Sequence, residues 1–387
     1  MSRRSPRILS LLPVLGHPRD SKRVAMLRKE GFEVEVAAFT RPYHRGRMPE
    51  GNVTVLGSLE HGRYLRRAIK MIGAIPALRQ KIKNADVVYA SGPDLGLFAH
   101  VAGLFVGRPV IVEIGDIRKI QVARGFVGLI ARTLDRVSTG RAALLVSTAE
   151  GFVRDYYRRW LGVQTRAIVI ENKLEPGLAR GTPNESISSA FTIGYFGVLR
   201  CERSWQILEM LAEERPDVSI LVAGIAIGPA DLPERAERLP NVRWLGEYRS
   251  PDDLQSLYSQ IDIVWACYPF PSRGEQNWKW ARTNRFYEAC HFQKPMIVLA
   301  GSGDHEVVDA KQLGLAIGLE SVEDDVRTVS QISAADLEKW RLNLRALEPS
   351  TYTYLNEARD LRIAIDQILA SYNTSASGRQ GQEGGVR

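Results

Sequence analysis

The chain has 387 residues, 44% of them hydrophobic and 25% charged, a globular composition that excludes a disordered or fibrous protein and leaves room for two domains, each with its own core. The net charge of +8 conceals a split: residues 1–180 hold 31 Lys and Arg against 15 Asp and Glu, and the remainder holds 21 against 29. Two domains with different partners are expected from that asymmetry, and Cys201, Cys267 and Cys290 are too few and scattered for a disulfide framework or a Cys-rich zinc site, pointing to a reducing compartment.

The first apolar run, Ile8–Leu15, is interrupted by Pro13 and followed at once by Gly16, His17, Pro18, Arg19 and Asp20. That pattern reads as a first β-strand, not a signal peptide, and no later stretch has the length to cross a bilayer. Further strand candidates are Val34–Phe39, Val53–Leu56, Val87–Ala90, Val110–Ile114, Ala143–Ser147 and Ala167–Ile170. Helical patterns lie between them at Ser21–Glu30, Tyr64–Lys83, Gly96–Phe105 and Phe126–Val137, with Pro76 expected to kink or split the second. A Pro- and Gly-bearing linker follows, from Asn172 through Gly181 and Pro183. Beyond it, the strands Phe191–Val198, Ser219–Ala223, Val242–Leu245, Ile263–Ala266 and Pro295–Ala300 alternate with helices at Ser204–Glu214, Pro251–Gln260 and Asn284–Phe292. Continuous apolar strands alternating with helices specify parallel α/β sheets. The expected organisation is a doubly wound, Rossmann-like domain over residues 1–178 and a second over 179–355. A closing helix over 356–371 and a disordered Gly/Ser/Gln-rich tail over 372–387 complete it.

Three places carry chemistry. At Asn284–Cys290 a polar cluster opens a helix before a Pro-punctuated turn and a buried strand. Arg285 offers a planar cation that grips a phosphate at two points. Glu288, one turn on, is placed to accept hydrogen bonds from two sugar hydroxyls. An ordinary solvated helix start has the same appearance. At Gly194–Ser204 a strand ends at Gly197 and a helix is expected from Ser204 as N-cap. Glycine admits close backbone approach, the helix N-terminus presents free N–H groups to an anion, and Arg200 and Arg203 add charge-assisted donors. In the first half, Asp94, Glu113 and Asp116 fall at or beyond strand ends, where ligands of parallel sheets bind, and Gly16 and His17 occupy the first strand-to-helix loop. The stretch Arg63–Lys83 mixes Ile69, Ile72 and Ile75 with seven basic residues, as in a helix lying on an anionic membrane or one packed on the sheet with a basic outer face. No zinc-finger spacing or nucleic-acid fold signature accompanies the charge, so nucleic acid is not expected as a partner.

Asn284, Arg285, Phe286, Tyr287, Glu288 and Ala289, followed by Lys294, Pro295 and a hydrophobic strand, resemble the donor signature of family-4-like GT-B glycosyltransferases. In that family a Pro-Asn-Lys-Leu-(Phe/Tyr)-Glu-Ala run precedes Gly-Lys-Pro; here Thr283 replaces the proline and Arg285 the lysine. Asp20–Phe39, Asp86–Tyr89, Gly107–Asp116, Ile170–Asn172, Asn241–Gly246 and Leu254–Asp262 follow in the family's order, so the resemblance covers roughly residues 7–320.

It implies the GT-B fold, two Rossmann-like domains facing an interdomain cleft, with acceptor in the first and nucleotide-sugar donor in the second. It further implies a basic residue at Arg203 on the donor diphosphate; Val198 stands where the family's Arg usually follows the glycine, and Arg200 is its expected substitute. The family often carries Glu eight positions before Glu288, where this chain has Trp280. No Asp-x-Asp motif appears, and no metal or other cofactor is expected.

The expected function is transfer of a sugar from a nucleotide-diphosphate sugar to a glycan or lipid-linked acceptor, in cell-surface polysaccharide or glycolipid synthesis. Asp116, Arg203 and Arg285 are the catalytic candidates. Asp116 would act as base if the reaction inverts the anomeric centre, and would orient acceptor or sugar if it retains it. Gly197, Arg200, Arg203, Asn284, Arg285 and Glu288 are the donor-binding candidates, and Gly16, His17 and Asp94 the acceptor-side ones. The expected location is cytoplasmic, with the inner face of the plasma membrane as a surface it can touch. A nucleotide-sugar epimerase of the same fold, or a catalytically silent sugar-nucleotide or polyanion-binding protein, is the alternative.

Overall fold

The computed structural model describes residues 4–40, 51–58, 64–180, 190–269 and 276–383. The chain divides into two compact units, one of residues 1–171 with 356–387 and one of residues 172–355.

In the first unit the elements run β1 (Arg7–Leu12), α1 (Pro18–Lys29), β2 (Glu33–Thr40), β3 (Val53–Ser58), α2 (Tyr64–Gly73), α3 (Ile75–Asn84) and β4 (Val87–Ser91). They continue with α4 (Pro93–Ala102), β5 (Val110–Ile114), α5 (Lys119–Val122), α6 (Phe126–Gly140), β6 (Leu144–Ser147), a π-helix at Phe152–Trp160, and β7 (Ala167–Val169). The seven strands pair in parallel in the order β3-β2-β1-β4-β5-β6-β7. Every residue of β4, β5 and β6 is buried, as the unbroken apolar runs require of strands covered on both faces. Pro76 splits the expected long helix: α2 ends at Gly73 and α3 restarts with that proline in its first turn, where a missing N–H costs nothing.

The second unit contains β8 (Thr192–Leu199), α7 (Glu202–Glu214), β9 (Ser219–Ala226), α8 (Leu232–Ala236), β10 (Val242–Trp244), α9 (Leu254–Ser259) and β11 (Ile263–Trp265). After it come α10 (Asn284–Phe292), β12 (Met296–Leu299), α11 (Gly303–Ala310), β13 (Gly314–Ile317), α12 (Val322–Ser330) and α13 (Ala334–Arg345). Its six strands are parallel in the order β10-β9-β8-β11-β12-β13. Two apolar clusters cover the two faces: Trp205, Leu208, Leu211 and Trp265 belong to one, and Phe196, Tyr258, Phe286 and Phe292 to the other.

The last helix, α14 (Glu357–Glu383), returns to the first unit. Leu361, Ala364, Ile365 and Ile368 are buried along it. Arg362 bonds the Glu30 carbonyl at the end of α1 and stacks over the Phe32 ring, 4.5 Å from its centroid. The helical backbone runs on to Glu383, into the Gly/Ser/Gln-rich stretch expected to be a tail.

Candidate functional site

In the second unit the strand order reverses between β8 and β11, the point at which ligands of open parallel sheets bind, outside the carboxyl ends of the strands. Two helices begin there. Helix α10, following β11, is capped by Thr283, whose hydroxyl accepts from the Phe286 N–H at 3.2 Å. Asp304, in the first turn of α11, in turn accepts from the Thr283 N–H at 3.1 Å and the Thr283 hydroxyl at 2.7 Å. Burial pushes the Asp304 carboxyl up to about 6, against the lowering effect of those bonds. This anchored cap fixes where the first turn of α10 points.

That first turn carries Asn284, which is exposed, and Arg285, which is half-buried. Arg285 reaches back over β8: Nη1 donates to the Phe196 carbonyl at 3.0 Å, and a Cβ at Gly197 would lie only 2.6 Å from it. Gly197 has φ of 109° and pairs with Gly224 of β9, whose φ is 139°. The guanidinium thus crosses a floor that only glycine can make. Its Nε is buried with no hydrogen-bond partner among the described residues.

Glu288, 6% exposed, accepts from the Tyr258 hydroxyl at 2.8 Å. Burial works against the charge of Arg285, but Glu288 and the surrounding tyrosines more than offset it, so the guanidinium is held above its ordinary value. Tyr248 completes the cluster, its hydroxyl 3.9 Å from the same Gly197 Cβ position. Burial first, and then the Glu288 carboxylate, push Tyr248 to about 12.

Helix α7, following β8, begins at Glu202, earlier than the sequence suggested. The cap is Cys201, whose Sγ accepts from the Ser204 N–H at 3.4 Å, while Ser204 is buried inside the first turn. A thiol in an apolar corner can serve as a weak acceptor here because the strand end already sets the extended backbone that a cap needs. Arg203 is half-buried in this first turn, and Arg200 is exposed with no hydrogen-bond or ion-pair partner among the described residues. Gly197, Arg285 and Glu288 are therefore brought together with Tyr248 and Tyr258, and Arg200, Arg203 and Asn284 stand at the helix starts on the same edge of the sheet. Lys294 has a different place: it is buried and its ammonium donates to the Ile261 carbonyl at 2.7 Å, which ties α10 to the strand layer.

The first unit has its own reversal, between β1 and β4. Gly16, at φ 83°, turns the chain from β1, and His17 sits at the head of α1 with Nδ1 3.6 Å from Asp20 Oδ2. Asp20 is 2% exposed and accepts from the Ser91 hydroxyl at 2.7 Å. Asp94, in the first turn of α4, is gripped by Arg118 at 2.8 and 3.3 Å. Asp116, past the end of β5, is 60% exposed and 3.4 Å from Arg19. Glu113 is a framework residue: Arg23 holds it at 3.1 and 3.2 Å and the Tyr89 hydroxyl at 2.6 Å. Burial opposes its ionisation, but Arg23 and Arg19 outweigh that and leave the carboxyl below its ordinary value. Arg19, Asp20 and Arg118 escaped the sequence reading; their only signal was a position within a few residues of His17 and Asp116.

Two doubly wound parallel sheets in tandem are the GT-B architecture, and residues 23–173 match the family profile described as a glycosyl transferase 4-like domain. The chain is similar to the succinoglycan biosynthesis protein ExoL of Rhizobium meliloti (strain 1021), with 27% identity over 335 residues and 82% of each chain covered. Among solved structures it resembles sucrose-phosphate synthase from Thermosynechococcus elongatus, with a TM-score of 0.68, 14% identity, and 94% of this chain and 100% of that one covered. It also resembles HepE of Anabaena in complex with UDP, with a TM-score of 0.60, 16% identity, and 97% and 100% covered. At such identities the structural likeness speaks to the fold.

Proposed function

We propose that the protein transfers a sugar from a nucleoside-diphosphate sugar, bound in the second unit, to a glycan or lipid-linked acceptor presented to the first, in the making of a cell-surface polysaccharide or glycolipid. The observation that carries this reading is Arg285 lying across Gly197 with Glu288 one turn on. It pairs a phosphate-binding cation with a buried carboxylate of the kind that accepts from ribose hydroxyls. The ExoL name, which places that relative in succinoglycan biosynthesis, supports a polysaccharide product. The HepE structures with UDP and with UDP-glucose support a nucleotide-sugar donor.

In this reading the bond from the anomeric carbon to the diphosphate oxygen breaks, and negative charge gathers on that oxygen. Arg285, Arg203 and Arg200 meet it, together with the free N–H groups at the head of α7. These fixed positive groups supply the stabilisation without a metal. Glu288 holds the ribose, and Asn284 stands beside the phosphates. On the acceptor side Asp116 is the exposed carboxylate at the strand ends, placed either to take the acceptor's proton or to orient the acceptor. Asp94, locked to Arg118, shapes that edge, which weakens the case for an epimerase that needs several free acids there.

Calorimetric titration with UDP, GDP, ADP and dTDP tests the donor assignment. One of them should bind, and Arg285→Ala should weaken it. Binding of none, or equal binding by the variant, overturns the assignment. Incubation with the matching nucleotide-sugars and NMR of the product's anomeric signal then give sugar and stereochemistry.

A further inference from the structure

The side chains of α6 do not behave as those of a helix packed on a sheet. Phe126 is 76% exposed, Ile130 44% and Leu134 48%, one turn apart along a single stripe, with Val127 and Leu129 exposed beside them. A contiguous apolar face of this kind marks an interaction surface. The only acidic residue of the helix, Asp135, is buried, accepting from Gln121 at 2.6 Å and from Tyr156 and Tyr157. Its exposed residues are therefore apolar or cationic, with the neutral Thr133 among them. Arg124 and Arg136 are exposed at either end of the stripe. Arg132 lies over Trp160, 5.6 Å from the ring centroid, and Trp160 is itself 44% exposed, next to exposed Arg158 and Arg159. Across residues 118–166 there are ten Lys and Arg and three acids, of which Asp135 is buried and Asp155 is paired with Arg154.

We propose that this face of α6, with Trp160 at its flank, is where the first unit rests on an anionic phospholipid surface. Apolar side chains ringed by arginines, with an indole among them, match the boundary between acyl chains and negative headgroups. No helix among the described residues is long and apolar enough to cross a membrane, so the contact is peripheral. In the stretch Arg63–Lys83, Arg63 and the side chains of residues 64–68 lie outside the described residues, and Ile69 and Ile72 are exposed; further on, Arg79 is taken up by the Ala102 and Leu104 carbonyls and Lys81 by Glu35, while Leu78 and Ile82 are buried.

Position gives the contact a use. The Ser138 hydroxyl donates to the Pro93 carbonyl at 2.6 Å, just past the end of β4. Arg118, which grips Asp94, is the N-cap of α5, and α5 is tied to the middle of α6 through Gln121 on Asp135 and Arg132 on the Gln121 and Ala123 carbonyls. The helix that bears the face is thus linked through α5 to the edge that holds Asp94. It brings that edge to a surface carrying a lipid-linked acceptor, a deepening that rests on the proposed transferase reading.

The test is co-sedimentation of the full chain with phosphatidylcholine vesicles that contain or lack phosphatidylglycerol. The wild type should pellet with the acidic vesicles. The triple variant Phe126→Ser, Ile130→Ser, Leu134→Ser should lose about tenfold in partitioning, and Arg124→Glu with Arg136→Glu should abolish the preference for acidic lipid. All of these positions are exposed, so folding is not at stake, and titration with UDP serves as the check that the donor unit is unchanged. Failure of UDP to bind would count against the transferase reading alone. Equal pelleting of wild type and triple variant overturns the docking face. So does a lipid-free dimer of the wild type that the triple variant dissolves, because the face would then be covered by a second copy of the chain.

Discussion

Two residues of the candidate site make different demands on their surroundings. Glu288 is nearly buried, one turn from Arg285, and accepts from the Tyr258 hydroxyl. Replacing it by Gln keeps an oxygen for Tyr258 but, in the proposed site, removes the charge that would strengthen bonds to ribose hydroxyls. Glu288→Gln should weaken nucleoside-diphosphate binding roughly tenfold, the loss of one charged hydrogen bond, and shift the melting temperature little; unchanged affinity in calorimetry would remove the ribose assignment. Gly197 fails differently. With φ 109° and Arg285 Nη1 2.6 Å from its would-be Cβ, Gly197→Ala should displace the guanidinium. Turnover should then fall by about tenfold or more, since the proposed transfer would rely on preorganised charge, and nucleoside binding should suffer less. The types of these residues were legible in the chain. Tyr248 and Tyr258 were not, because their partners are 30 or more positions away in sequence, and only folding shows which tyrosine faces which acid.

The elements themselves were legible wherever the apolar pattern was strong. The strands from Ile8 to Ile170 and from Phe191 to Ala300 appear within a few residues of expectation, because parallel strands buried on both faces read as unbroken apolar runs. What escaped was β13 with helices α11 to α13, past the last expected strand, and the features set by tertiary bonds. The π-helix at Phe152–Trp160 lets the adjacent Tyr156 and Tyr157 both reach Asp135, and no local pattern announces that. Neither was the Asp304–Thr283 brace visible, since Asp304 is 21 positions from the cap residue that it steadies. The brace should have a pH signature. Burial holds the Asp304 carboxyl near about 6, above its ordinary 3.8, so the folded state keeps the proton more tightly than the unfolded one. Its contribution to stability is therefore complete below pH ~4 and is lost as pH rises through ~6. Asp304→Asn removes this titration: the stability of wild type relative to the variant should improve by on the order of 2 kcal/mol between pH 7 and pH 4, measured by thermal melts across that range. A constant difference would mean that the carboxyl is not raised. Thr283→Ala, losing cap and brace together, should cost about 1–2 kcal/mol.

At the scale of the molecule the charge divides as the chain does. The unit of residues 172–355 holds 19 Lys and Arg against 26 Asp and Glu, and the other holds 33 against 18. The sequence displayed that split but not that the first unit is discontinuous, because α14 looked like an appendage until Leu361, Ala364, Ile365 and Ile368 were seen to be buried. Removing residues 356–387 should therefore harm the unit that begins at the opposite terminus. Four apolar side chains of this kind contribute roughly 4–8 kcal/mol by their burial, more than many domains have to spare. Hydrogen exchange on the truncated chain should show β1, β2 and α1 losing protection while β8 to β13 keep theirs and still bind nucleotide. Equal protection of both units would show that α14 is dispensable.

The return of α14 also orders events on the ribosome. Residues 172–355 emerge whole before the first unit has received its last helix, so the later-encoded unit is the one able to finish folding first. At ordinary rates of synthesis the missing piece arrives some 2–6 seconds afterwards. During that interval the surface awaiting α14 is open to chaperones or to proteases. A chain that terminates early would carry a finished second unit beside a first one that still lacks its last helix.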